Sequence, residues 1–151
     1  MIQRVQTLLW LEIAFLSISL LFVPVQTIIL AAGEAQVHLM PLKEVGLSST
    51  MGHMAAVILN FLAIVICFLC IFNFKKRELQ IKLSWALIVI FLVLIGMIAF
   101  CPFVSKNDIV KETRTNVFGY FIPAVAIISS FIAIRFVKKD IELLKSADRI
   151  R

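Results

Sequence analysis

The chain has 151 residues, 62% of them hydrophobic and 16% charged, with a mean hydropathy of +1.04 and a formal charge of +6. Soluble domains run at about 45–50% apolar and about 25% charged, so an ordinary water-soluble domain is excluded, and so is a disordered chain, which is poor in apolar residues. Thirteen Phe against 5 Gly and 4 Pro exclude a collagen-like or low-complexity chain as well.

Four apolar runs follow one another along the chain, from about Thr7 to Leu30, Met54 to Phe74, Leu83 to Phe103 and Val117 to Val137. Lipid offers no partner to backbone N–H and C=O groups, so each run is expected to cross as a helix. At about 1.5 Å per residue each is long enough for a hydrocarbon core of about 30 Å. No series of strands with period-two alternation is present, which argues against a β-barrel. The first run exceeds the apolar stretch of a cleavable signal, about 7–15 residues, and reads as a retained span. The fold expected is all-α, a membrane-integral four-helix bundle in a single transmembrane domain spanning 1–151. Its connections are loops at 31–53 and 104–116, a tight turn at 75–82 and a tail at 138–151.

Orientation is read from Lys and Arg in the short connections. Arg4, Lys75, Lys76, Arg77, Lys82, Arg135, Lys138, Lys139, Lys145, Arg149 and Arg151 fall on one side, and Lys43, Lys106, Lys111 and Arg114 on the other. Both termini are therefore expected in the cytoplasm, with the two longer loops outside. Topology accounts for the basic charge, and no basic groove with interleaved aromatics points to nucleic acid.

The opening MIQRVQTLLWL (Met1 to Leu11), the KKRELQIKLS stretch (Lys75 to Ser84) and the closing RFVKKDIELLKSADRIR (Arg135 to Arg151) together resemble one family. It is an uncharacterised bacterial family of small four-span inner-membrane proteins that carries a domain-of-unknown-function label. The resemblance runs over the whole chain in length and span order. It implies the four-span fold and an inner-membrane location, and it implies no reaction.

Glu12 is the most costly residue to bury, since a carboxylate well inside a span costs about 2.5–3.5 kcal/mol on insertion scales. It lies eight residues, about 12 Å of helix, beyond Arg4. An intramembrane charge pair with Arg135 or Lys82, or a carboxyl that is protonated or snorkels to the interface, is the expected role; a proton or cation relay through Glu12, weakened by the lack of a deeper acid or His, and contact with a charged residue of another subunit are the alternatives. Cys67 and Cys70 form a C-x-x-C inside the second run, a spacing used in redox and metal sites. On a helix, however, such a pair is held about 5–6 Å apart at Cβ, wider than a disulfide prefers. With Cys101 isolated, core packing is the expected role. His38, Met40, Met51, His53 and Met54 are soft-metal donor types without a recognised ligand spacing, so surface His with interfacial Met is the expected role and metal binding the alternative. No cofactor is expected.

Asn60, Ser84, Ser129 and Ser130 are expected to hydrogen-bond between helices, and Gly96, Gly119 and Ala124 to let backbones approach. Trp10, Trp85 and Tyr120 fit an interfacial aromatic belt. The tail places Ile141, Leu144, Ala147 and Ile150 near one face among charges, an amphipathic helix for anionic lipid or a protein partner. Lys75, Lys76, Arg77, Lys138, Lys139, Asp148 and Arg149 are the candidate contacts at that edge. With no phosphate loop, zinc-protease or nucleophile-elbow motif present, the function expected is a non-enzymatic accessory or scaffold subunit of a larger inner-membrane complex. A small ion or proton transporter using Glu12, and a membrane thiol or metal handler, are the alternatives.

Overall fold

The computed structural model describes residues 2–30, 33–39, 51–73, 76–101 and 110–148. In chain order these form α1 (Ile2–Phe22), β1 (Pro24–Leu30), β2 (Gly33–His38), α2 (Met51–Phe72), α3 (Arg77–Phe100), β3 (Val110–Thr115) and α4 (Val117–Asp148). All four helices are long and apolar enough to cross a membrane. They have 21, 22, 24 and 32 residues, which at 1.5 Å each gives about 32, 33, 36 and 48 Å.

The helices pack in a ring, α1 on α2, α2 on α3, α3 on α4 and α4 back on α1. The interior is unusually polar for a bundle this greasy. Gln6, Ser17, Asn60, Gln80, Ser84, Ser129 and Ser130 are buried, whereas large apolar side chains such as Leu8, Phe15, Phe61, Phe68, Val89, Leu92, Phe121 and Phe131 face outward. A soluble monomer rarely exposes an apolar patch above about 300–600 Å²; here every helix carries an apolar outer face. That outer surface suits lipid, and the chain is a multi-pass membrane protein with an all-α four-helix arrangement.

The first span is shorter than its apolar run. α1 stops at Phe22, and 24–30, read above as the end of a helix, is a strand. Pro24 supplies no N–H and its ring clashes with the carbonyl four residues back, and the β-branched Val25, Thr27, Ile28 and Ile29 favour extended backbone. β1 is the centre of a three-stranded antiparallel sheet of order β2-β1-β3. Its register sets Thr27 opposite Gln36 on one side and Arg114 on the other. The segments 33–38 and 110–115, expected as loop, are its edges.

The expected turn at 75–82 is mostly helix, since α3 begins at Arg77. Glu78 lies in its first turn, where a carboxylate complements the helix dipole. The tail is not a separate piece: α4 runs unbroken from Val117 through Pro123 to Asp148. The start of α1, the α2–α3 turn and the last part of α4 thus share one end of the bundle, and the sheet closes the other.

Candidate functional site

At the sheet end, polar side chains tie strands to helix termini. The last carbonyls of a helix have no partner within it. Gln26 on β1 donates through Nε2 to the carbonyls of Ile98 (3.1 Å) and Cys101 (3.0 Å) at the end of α3. His38 on β2 donates through Nδ1 to the carbonyl of Phe22 at the end of α1, at 2.7 Å. His53, buried in the first turn of α2, donates through Nε2 to the carbonyl of His38 at 3.1 Å. Each of these ring nitrogens faces a carbonyl, which only accepts, so it carries the proton. The two histidines, expected at the surface with metal binding as the alternative, each use one nitrogen to join sheet and bundle, and His53 is buried. Among the described residues no three His, Cys, Asp or Glu side chains gather as a metal site would require. Met40 lies outside the described residues. On the exposed edge strand, Arg114 meets Glu112 at 3.2 Å, and the hydrogen bond and charge of that carboxylate hold the guanidinium above its ordinary pKa.

In the interior, polar groups cross between helices. Trp10 donates through Nε1 to Ser84 Oγ at 3.3 Å, linking α1 to α3 across the ring. Gln80 donates to the carbonyl of Cys70 at 2.9 Å, and Asn60 to the carbonyl of Ser17 at 2.9 Å. Gln6 Nε2, Asn60 Oδ1 and Gln80 Oε1 are buried and find no hydrogen-bond partner among the described residues. Ser130 turns back on its own helix, to the carbonyl of Ala126 at 2.7 Å, so it does not join helices as expected. Trp10 is 1% exposed, which removes it from the interfacial belt and makes it part of the core. Cys67 and Cys70 are buried, unbridged thiols within this interior, and Cys101 is half-buried at the end of α3.

Glu12 breaks the pattern of an apolar outside. It is the central residue of α1, ten residues from either end, and it is exposed on the outer face beside Leu8, Leu11 and Phe15. Its Oε1 accepts a hydrogen bond from Ser129 of α4 at 3.1 Å. The expected charge pair is absent: among the described residues Glu12 makes no ion pair with Arg135 or Lys82. The reason is geometric. Arg135 follows Ser129 by six residues, about 9 Å along α4 and about 240° around it, and its guanidinium lies 5.2 Å from the ring centre of Phe131. Phe131 in turn meets Trp85 of α3 edge-on at 6.4 Å. Lys82 belongs to α3, which does not pack beside α1 in the ring. Hydropathy sets the depth of Glu12 and leaves open which way it points.

At the end bearing the termini, Arg77 Nη2 meets Asp140 Oδ2 at 3.1 Å, and Arg77 Nη1 donates to the Asp140 carbonyl at 3.3 Å. Both side chains are largely buried, at 16% and 13% exposure. In the sequence nothing sets Asp140 apart from the other charges of the tail, since its partner lies in another helix. Lys76, Lys138 and Lys139 are exposed around this pair. Lys75, Arg149 and the side chain of Asp148 lie outside the described residues.

A family model described as a domain of unknown function (DUF4293) matches residues 2–150, and the chain belongs to that family. No curated protein and no solved structure matches it.

Proposed function

We propose that this member of the family is a non-enzymatic accessory or scaffold subunit of a larger assembly in a bacterial inner membrane, with both termini cytoplasmic. The observation that carries the reading is the far end of α4. At 32 residues the helix exceeds a hydrocarbon core of about 30 Å by about 18 Å. Its last turns expose Leu143 and Leu144, at 48% and 51%, next to Glu142. A helix that lies along lipid after a span must turn at the interface, whereas α4 is continuous and its base is fastened to α3 through Arg77 and Asp140. Such a projecting arm with half-exposed leucines suits docking on a protein. Lys76, Lys138 and Lys139 around its base suit anionic headgroups, each contributing about 1 kcal/mol near such a surface.

The Lys and Arg bias between the two ends supports the cytoplasmic placement of the arm. It follows that the three-stranded sheet lies on the outer side.

The test is purification of the tagged protein from its native membrane in mild detergent, with native gels and mass spectrometry. A stoichiometric larger partner is expected, and Leu143→Glu with Leu144→Glu should release it while leaving the membrane level of the protein unchanged. A protein that purifies alone or as a homo-oligomer overturns the reading.

A further inference from the structure

The outer face shared by α1 and α4 carries a carboxyl group that pairs with no cation among the described residues. The exposed side chains of α1 follow helical spacing through Leu8, Leu11, Phe15, Ile18 and Phe22, and Glu12 lies within that stripe. Lys82, also exposed, is long and lies toward the end bearing the termini, so its charge reaches the interface, and the Arg135 guanidinium is taken up by the Phe131 ring. Glu12 has a shorter side chain and sits at the middle of its helix. Ser129 supplies it with one hydrogen bond, and a carboxylate has about four acceptor positions. Facing hydrocarbon, such a group is costly, and intramembrane acids pair with a partner or border water.

We infer that the α1/α4 face around Glu12 and Ser129 receives a membrane-spanning helix of a different chain, carrying a Lys or Arg at the depth of Glu12. The inference rests on the accessory-subunit reading and names where one partner helix seats and by what chemistry. Charge complementarity selects the occupant. A second copy inserted in the same orientation has no Lys or Arg of the described residues at this level of its helices, and its nearest guanidinium, that of Arg135, already lies on Phe131. Trp10 and Ser84 are level through their hydrogen bond, so Lys82 lies about 6 Å nearer the terminal end than Glu12, and Arg135 about 9 Å nearer. A two-fold contact through this face would instead set one Glu12 against another. Lipid offers only a headgroup, some 10 Å away along α1 from the start of its span at Val5.

Site-directed photocrosslinking in native membranes tests this. A benzophenone amino acid replaces Leu8 or Phe15, which flank Glu12 on the same face, and Leu92 of α3 serves as the control. Adducts with one other protein are expected from Leu8 and Phe15 and not from Leu92, and the crosslinked peptide should lie in a membrane span containing a Lys or Arg. Glu12→Gln keeps an oxygen for Ser129 and removes only the charge, so the protein should accumulate normally while adduct yield falls about tenfold. Changing the partner's basic residue to Gln in that background should cause no further fall. Adducts with a second copy, adducts with lipid alone, or a yield unchanged by Glu12→Gln overturn the inference. A stoichiometric partner in the pull-down that fails to crosslink here overturns the inference and leaves the accessory reading standing. Absence of any partner in the pull-down overturns both.

Discussion

Gly96 and Gly119 both look in the sequence like small residues placed for helix packing, and the structure separates them sharply. A Cβ built on Gly119 would meet the Val25 carbonyl oxygen at 3.0 Å, Ile98 Cγ2 at 3.2 Å and Val25 Cα at 3.4 Å. Two of the three are backbone atoms of β1, whose carbonyl also accepts from Asn116 N at 2.9 Å, so the strand has little room to withdraw. A Cβ on Gly96 would meet nothing within 4 Å. Replacing Gly by Ala inside a helix gains about 1 kcal/mol of helix propensity, and overpacking costs about 1–3 kcal/mol. Gly96→Ala should therefore be stabilising by up to about 1 kcal/mol, and Gly119→Ala destabilising by up to about 2 kcal/mol. The two variants should differ by about 1–3 kcal/mol, the steric cost alone. Both contain the same added methyl group, so the comparison cancels composition and leaves only position. Thermal unfolding of the purified protein in one detergent, followed by tryptophan fluorescence, measures the difference. Equal midpoints, or a higher midpoint for Gly119→Ala, would refute the close seating of β1 against α4.

Two further variants probe the ends of the bundle. Gln26→Leu removes the donor to the Ile98 and Cys101 carbonyls and should cost about 1–3 kcal/mol at about 0.5–1.5 kcal/mol per bond, seen as a lower unfolding midpoint; an unchanged midpoint would mean that the cap is not structural. Arg77→Met should loosen the base of the α4 arm and speed tryptic cleavage beyond Val137, while the Arg77→Met/Asp140→Leu double variant should lose less stability than the sum of the singles, because neither charge is stranded. Strict additivity in that cycle would show that the pair contributes nothing.

How much of this was legible in the sequence depends on whether a feature is set by depth or by direction. Hydropathy reports depth, and it located four helices and placed Glu12 well inside the first. It cannot tell an apolar helix from an apolar strand, so Val25 to Leu30 read as membrane although Pro24 and the β-branched residues after it marked the change. The strand is fixed by partners far along the chain: Gln26 opposes Thr115 and Val37, pairings that one sequence does not display. Direction around a helix is hidden in the same way. Trp10 and Glu12 lie within about 3 Å of each other along α1, yet Trp10 points inward to Ser84 and Glu12 points outward. Single polar residues such as Asn60, Gln80 and Ser84 mark the inward sides of α2 and α3, but α1 carries polar groups on both sides, Gln6 and Ser17 inward and Glu12 outward. The Arg77–Asp140 pair joins residues 63 positions apart, and charge spacing within the tail gave no sign of it.

The sheet also imposes an order of events on biogenesis. β1 follows the first span and β3 immediately precedes the fourth, so the central strand must wait for its second edge until the third span has crossed and the segment after it has been delivered to the same side. Until then the α1 end of the bundle has one neighbour in place of two, and the carbonyl of Val25 lacks the amide of Asn116 that closes onto it. Membrane insertion can proceed helix by helix, but ring closure is a single late step that joins the earliest and latest parts of the chain. A truncated or stalled product is thereby left with β1 paired along one edge and open along the other.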